Sequence, residues 1–282
     1  MRRFPGAVAV MLAAGAAMLA AGAAMLAAGA APAVVPLERA HSHNDYSRPR
    51  PLLDALDAGF CSVEADIFLV NGELLVAHDA DKTDPARTLR GMYLDPLRER
   101  VKQNGGRVYR DGPPVTLFID IKDDAEATYA RLDALLREYA EMLTSFTKDA
   151  TETRAVTVII SGNTPRAAMA AQETRLASVD GRLPDLEANP SPHLVPMVSM
   201  SWGDVFKWNG KDAMPADEAA LLKELVAKAH AQGRRIRFWG LPRPYAVWPV
   251  LHDAGVDLLN ADNLAALQKL LLERGAAAAP KK

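Results

Sequence analysis

Cysteine occurs once in the 282 residues, at Cys61. One thiol excludes an intrachain disulfide and a zinc site built on thiolates. Its setting, Gly59-Phe60-Cys61-Ser62-Val63, is that of a buried strand residue rather than a reactive thiol. An excess of charge of one sign is also missing. With 33 Lys and Arg against 35 Asp and Glu, the net charge is −2. Nothing here favours nucleic acid, and short basic runs such as Arg234-Arg235 read as solvated surface. Histidine is scarce too, with six in the whole chain, so a site that needs many imidazoles has few to draw on.

The longest apolar stretch is confined to the start of the chain. Arg2 and Arg3 precede a run over residues 7–31 that repeats Ala-Ala-Gly-Ala-Ala-Met-Leu. A charged beginning, an apolar middle and small residues at Ala28-Gly29-Ala30 or Ala31-Pro32-Ala33 form a secretory signal over residues 1–33. The run is also long enough to remain as an N-terminal membrane anchor. The expectation is export, periplasmic or extracellular, of a single domain over residues 34–282.

Beyond residue 36 the pattern alternates between buried strands and amphipathic helices. Strands are expected over residues 37–43, 61–68, 115–122, 155–161, 176–179, 194–199, 235–239 and 257–259. Helices are expected over 51–58, 125–143, from 165, over 217–232, 244–254 and 264–272. Asn71-Gly72 between apolar runs marks a hairpin whose return strand covers 73–78. The segment from His78 to Val115 reads as an irregular insertion. Strand–helix alternation implies parallel pairing with right-handed crossovers. Eight such units in a chain of this length imply an α/β fold of the (β/α)8 TIM-barrel type.

In that fold the active site lies at the C-terminal ends of the strands. The first strand ends in His41, His43 and Asn44, and the second in Glu64 and Asp66, with His78-Asp79 returning on the hairpin. The third ends in Asp120 and Lys122, the fourth in Ser161 and Asn163, and the seventh in Trp239. Glu64 and Asp66 are two apart and so share one face of their strand. Charges inside strands this apolar are costly unless paired or bound to metal. Asn44, Glu64, Asp66 and Asp120 would form a hard, all-oxygen site suited to Mg²⁺ or Ca²⁺. Two histidines outside that set are left for proton transfer on opposite sides of a phosphorus centre.

These residues resemble the phosphatidylinositol-specific phospholipase C and glycerophosphodiester phosphodiesterase superfamily. Ser42-His43-Asn44-Asp45-Tyr46 is similar to the His-Asn-x-Tyr segment of phospholipase C enzymes. Glu64-Ala65-Asp66 resembles the metal-binding E-x-D pair, and His78-Asp79 the second catalytic histidine. Asp120-Ile121-Lys122 stands where the glycerophosphodiesterases carry Glu-Ile-Lys. The pattern, including Arg237-Phe238-Trp239-Gly240 and the closing Gly255-Val256-Asp257, is similar to the branch containing the fungal altered-inheritance-of-mitochondria protein. The His-Arg-Gly and Glu-Asn-Thr segments of the glycerophosphodiesterases are absent. The resemblance implies a metal-dependent phosphoric diester hydrolase with a phospholipase C-like barrel. His43, His78 and Lys122 would be catalytic, His43 being chosen over His41 because Asn44 follows it. His41, Asn163 and Trp239 would touch substrate. That substrate would be a small-molecule or lipid phosphodiester, with contact at a membrane surface compatible with the export signal and no protein partner implied.

Two other readings share these residues. His41-Ser42-His43 also fits the H-x-H of amidohydrolase-like metallohydrolases, although these need further rim histidines and His193, His230 and His252 are not at strand ends. A catalytically inactive, metal- or ligand-binding barrel would keep the carboxylates without needing the two histidines.

Overall fold

The structure, a computed structural model, describes residue 1, residues 34–243 and residues 246–278. The expected signal or anchor segment lies outside the described residues apart from Met1, and the compact unit begins at Val35. Among the described residues no helix is long and apolar enough to cross a membrane.

Among the described residues eleven strands follow one another: β1 (Leu37–Ser42), β2 (Phe60–Val70), β3 (Glu73–Val76), β4 (Val115–Ile121), β5 (Ser145–Phe146), β6 (Thr151–Glu152), β7 (Val156–Gly162), β8 (Ala177–Gly181), β9 (Met197–Ser201), β10 (Arg235–Trp239) and β11 (Leu258–Ala261). Eight of them run in the order β1-β11-β10-β9-β8-β7-β4-β2, and β1 pairs with β2 to close the ring. All eight pairings are parallel. This is the TIM barrel that the alternation of elements implies. β3 returns antiparallel on β2 after Asn71-Gly72, both at positive φ, the backbone that such a two-residue turn requires.

The strands read as nearly continuous apolar runs because both of their faces are covered. Val63, Ala65 and Ile67 of β2, with Leu117, Ile119 and Ile121 of β4, belong to the large core between barrel and helices. Phe118, Ile159, Met197 and Leu258 form a separate cluster on the alternate face, plugging the barrel interior. Above that plug the interior positions turn polar: His41, Glu64, Asp66, Ser161, Asp180, Ser199, Arg237 and Asn260 are all buried. A layer of charged and polar groups over an apolar floor is what raises the site to the rim.

Four elements differ from expectation. The segment 78–115 is not wholly irregular: Arg90–Leu94 forms a π-turn that runs into a helix, Asp95–Gln103, with Leu97 and Val101 buried. Its strongly polar composition hid that two-residue apolar stripe. The helix expected to reach residue 143 stops at Arg137. Tyr139, Met142 and Leu143 keep the apolar rhythm because they are buried in the turns beyond the helix end, not because the helix goes on. The following β5–β6 hairpin carries only two residues a side, too short for a periodic signal. The helix expected from residue 244 is described over Trp248–Ala254, and residues 244 and 245 lie outside the described residues.

Candidate active site

Register sets the site. Asp66 pairs with Asp120, and Asp120 with Ser161, so three adjacent strands place these side chains on one rung. Glu64 lies one interior position below Asp66 on the same face. Oxygen atoms of Glu64, Asp66 and Asp120 come within 4.8 Å of one another. Asp66 Oδ2 accepts from Tyr46 Oη (2.8 Å) and lies 2.9 Å from Lys122 Nζ and 3.0 Å from His78 Nδ1. Asp66 Oδ1 is buried and has no hydrogen-bond partner among the described residues. An orphaned carboxylate oxygen is costly, and it belongs to the trio most suited to a cation. Burial and the neighbouring Glu64 charge push the Asp66 carboxyl up, against the pull of Lys122 and Tyr46. A divalent cation here would relieve both, and an all-oxygen donor set suits Mg²⁺ or Ca²⁺. The residues present therefore fit such a metal.

Lys122 holds the rung from the side, with Nζ also 3.1 Å from Asp120 Oδ1. Burial works against its charge, but Asp120 and Asp66 outweigh it and keep the ammonium protonated. Ser161 Oγ donates to the other Asp120 oxygen at 3.1 Å. Gly162 is the one residue type that fits next: at φ +69° its added Cβ would lie 2.3 Å from Asp120 Oδ1.

The first loop is built around Asp45, whose side chain is buried. Its carboxylate accepts from Ser42 Oγ (2.7 Å), the Leu52 amide (2.5 Å) and Tyr93 Oη (3.0 Å). Arg48 closes the same loop onto the last strand by donating to the Asp262 and Ala261 carbonyls. Asn44 is left in the left-handed region at φ +48°, a conformation asparagine tolerates, with its Oδ1 2.9 Å from Tyr46 Oη. Tyr46 Oη thus touches Asn44, Asp66 and, at 3.0 Å, His78 Nδ1.

A cavity of about 290 Å³ opens above this rung, lined by His43, Asn44, Glu64, His78, Asp120, Lys122, Ser161, Arg182, Arg237 and Trp239. His43 Nδ1 lies 2.9 Å from Asp262 Oδ1, which leaves Nε2 for a ligand. His78 is likewise held through Nδ1.

Two expected substrate contacts do not reach the cavity. His41 is fully buried beneath it, with Nδ1 2.7 Å from Ser62 Oγ and Nε2 3.1 Å from Glu64 Oε2 and 2.9 Å from Arg237 Nη1. Burial lowers its pKa to about 4, so it is a neutral imidazole that fixes Glu64 rather than a group that meets substrate. Burial also opposes ionisation of Glu64, but the His41 hydrogen bond and the Arg237 charge outweigh it and hold the carboxyl well below the usual range. Asn163 is exposed and donates through Nδ2 to the Asp123 carbonyl. Gly162 at positive φ turns the chain before it, which removes it from the alternation of the strand. Trp239 is 40% exposed at the cavity rim, whereas Trp202 is buried against Phe206 and Phe238 and donates Nε1–H to the Trp208 carbonyl.

Sequence reasoning passed over Arg182 and gave Arg237 no role. Arg237 donates Nε–H to Ser199 Oγ (2.7 Å), lies 3.3 Å from Asp180 Oδ2, and stacks 4.0 Å over the Phe118 ring. Alternation in Arg235-Ile236-Arg237-Phe238-Trp239 was a readable signal: it puts Arg237 on the interior face of a buried strand. Nothing comparable marks Arg182. Of the remaining histidines, His193 contacts Thr151, His230 contacts Asp257 and His252 contacts Asp253. None of these lines the cavity, where His43 and His78 are the histidines among the described residues.

Residues 30–179 match the AIM6-like phosphodiesterase domain. Altered inheritance of mitochondria protein 6 of Eremothecium gossypii is 32% identical over 269 residues, covering 83% of this chain and 69% of that protein. The protein of the same name from Saccharomyces cerevisiae is 31% identical, covering 82% and 70%. The homologue from Arthroderma benhamiae is also 31% identical, covering 83% of each. Among solved structures, a calcium-dependent phosphoinositol-specific phospholipase C from a Pseudomonas species superposes with a TM-score of 0.56 at 16% identity, covering 84% of this chain and 94% of that one. A glycerophosphodiester phosphodiesterase from Parabacteroides distasonis gives 0.52 at 14% identity, covering 84% and 98%. At such identities the likeness to the solved structures is one of fold.

Proposed function

The chain belongs to the AIM6-like phosphodiesterase domain family, and from that premise we propose that it is a metal-dependent phosphoric diester hydrolase working by histidine acid–base catalysis. The observation that carries this reading is the convergence of Glu64, Asp66 and Asp120 within 4.8 Å, beside a cavity that Glu64, Asp120 and two imidazoles from different loops line. Asn44, Glu64, Asp66 and Asp120 would hold the divalent cation, Mg²⁺ or Ca²⁺. When bound it supplies charge neutralisation at a non-bridging phosphate oxygen.

The rest of the chemistry belongs to the protein. His43, oriented through Nδ1 by Asp262, takes the proton of the nucleophile at Nε2; the nucleophile is water or a neighbouring hydroxyl of the substrate. His78, oriented through Nδ1 by Asp66 and Tyr46, delivers a proton from Nε2 to the departing alkoxide. Lys122, Arg237 and Arg182 line the same cavity and place positive charge around the phosphate. Trp239 offers an apolar wall at the rim. The substrate is a small-molecule or lipid phosphodiester. The N-terminal charge and apolar pattern supports export of the chain, with retention by the same segment where it is not removed.

The test is hydrolysis of bis(p-nitrophenyl) phosphate after EDTA treatment and after adding back Mg²⁺, Ca²⁺ or Mn²⁺, beside His43→Ala, His78→Ala and Glu64→Gln. Activity restored by metal and lost in His43→Ala and Glu64→Gln is the expected result. Metal binding without turnover, unchanged by His78→Ala, would instead leave a binding barrel.

A further inference from the structure

The end of β8 carries a second arrangement of charge beside the cavity. Asp180, whose side chain is fully buried, accepts from Ser199 Oγ (2.5 Å), from Arg237 Nη2 (3.3 Å) and from Arg182 Nη1 (3.0 Å). Five residues on, Asp185 accepts the Arg182 amide through Oδ2 (2.8 Å) and Arg166 Nη2 through Oδ1 (2.5 Å). Gly181 makes this fold possible: a Cβ there would come within 2.5 Å of Val195 and 2.9 Å of Asp185 Oδ2. The two carboxylates thus lie inside, while the side chains of Arg182 and Arg166 stand 46% and 40% exposed.

Both guanidiniums face a hollow of about 330 Å³ lined by Gly162, Thr164, Arg166, Asp180, Arg182 and Asp185 among others. Arg182 also lines the catalytic cavity. Among the described residues its side-chain hydrogen bonds all run through Nη1, to Asp180 Oδ2, the Asp180 carbonyl and the Gly181 carbonyl, so Nε and Nη2 remain as donors. Among the described residues, Arg166 pairs with Asp185, and Arg182 and Arg237 share Asp180. The other carboxylate near Arg237 is Glu64 at 3.9 Å, a member of the metal trio.

We propose that this hollow is an anion subsite, in which Arg182 and Arg166 receive a second anionic group, phosphate or carboxylate, carried on one ester arm of the phosphodiester. The assignment rests on the phosphodiesterase reading above. A guanidinium anchored from behind presents a planar pair of donors with little further loss of side-chain freedom, and that fork matches both oxyanions. Arg182, common to the two cavities, would lie between the scissile phosphate and the distal group. The volume accommodates a phosphate or carboxylate on a short alkyl linker.

The experiment compares p-nitrophenyl phosphodiesters whose second arm is 3-phosphopropyl, 3-carboxypropyl or the uncharged 3-hydroxypropyl, at low ionic strength. The expected result is a kcat/KM about tenfold higher for an anionic arm than for the uncharged one. That ratio should fall toward one in Arg182→Gln and in Arg166→Gln, and partly recover in Arg182→Lys. The two anionic arms show whether phosphate or carboxylate is preferred. A ratio near one in the unaltered protein, or a ratio that neither glutamine substitution changes, overturns the subsite. If no arm is hydrolysed, the phosphodiesterase reading falls, and binding of the matching methylphosphonates by calorimetry decides the subsite. Tighter binding of the anionic analogue that is lost in Arg166→Gln upholds it, and equal binding overturns it.

Discussion

Tyr46→Phe removes one oxygen and disturbs three side chains of the candidate site. The hydroxyl is buried, 2.8 Å from Asp66 Oδ2, 2.9 Å from Asn44 Oδ1 and 3.0 Å from His78 Nδ1. Its single proton can go to one oxygen, while its lone pairs can accept from His78 Nδ1–H. Without it, Asp66 Oδ2 keeps Lys122 and His78 but loses the Tyr46 donor, and Asn44 Oδ1 loses its neighbour at 2.9 Å. A hydrogen bond to a charged group is worth about 1.5–3 kcal/mol, so a loss of about 2 kcal/mol in stability is expected. The catalytic effect should be selective. General acid catalysis contributes about 10²–10⁴-fold; His78 retains Asp66 but loses its second anchor, so roughly a tenfold part of that should disappear. The deficit should appear with alkyl leaving groups, which need a proton, and be much smaller with p-nitrophenolate, which leaves without one. The assay measures kcat/KM for a p-nitrophenyl ester and a dialkyl ester on both proteins. An equal fall for the two leaving groups would refute the positioning role of Tyr46 and leave only a structural one.

Three further outcomes follow from the same geometry. Saturating Mg²⁺ or Ca²⁺ at a hundred times its dissociation constant should stabilise the fold by about 2.7 kcal/mol, a rise in Tm of roughly 5–10 °C for a domain of this size; Glu64→Gln and Asp120→Asn should abolish the rise, and a rise that survives both would place the ion elsewhere. Burial works against ionisation of Asp185, but Arg166 and the Arg182 amide outweigh it and hold the carboxyl below its ordinary value of 3.8. A depressed folded-state pKa gives stability that is present above the unfolded value and lost as pH falls through the folded one. Asp185→Asn should therefore cost about 1 kcal/mol at pH 7, with the gap in urea midpoint closing below pH 4; a gap independent of pH would contradict the ion pair. Cys61, whose thiol burial pushes up to about 12, should resist dithiobis(nitrobenzoate) at pH 8 in the native protein and react fully in urea, whereas fast native labelling would show an open barrel floor.

Much of the architecture was legible in the sequence because barrel strands are buried on both faces and so appear as unbroken apolar runs, as in Val115–Ile121 and Val156–Gly162. Alternation within those runs also placed Glu64, Asp66 and Asp120 on the interior face, since a period of two cannot put them elsewhere. What the sequence could not determine is which polar groups share a space. His41 and His43 both follow from the same short motif and both face inward, yet register sets His41 beside Asn260 and Ser62 inside the barrel, while His43 emerges beside Asp262, 219 residues away. Asn163 was misplaced because Gly162 leaves the strand conformation before it. The partnership of Arg182 with Asp180, Asp185 and Arg166 depends on a turn whose close packing only Gly181 permits. Local periodicity determined the elements and the faces. Only ring closure, which aligns eight strands at once, decided which side chains meet, because hydrogen bonds and ion pairs act over about 3 Å and sequence distance says nothing about so short a range.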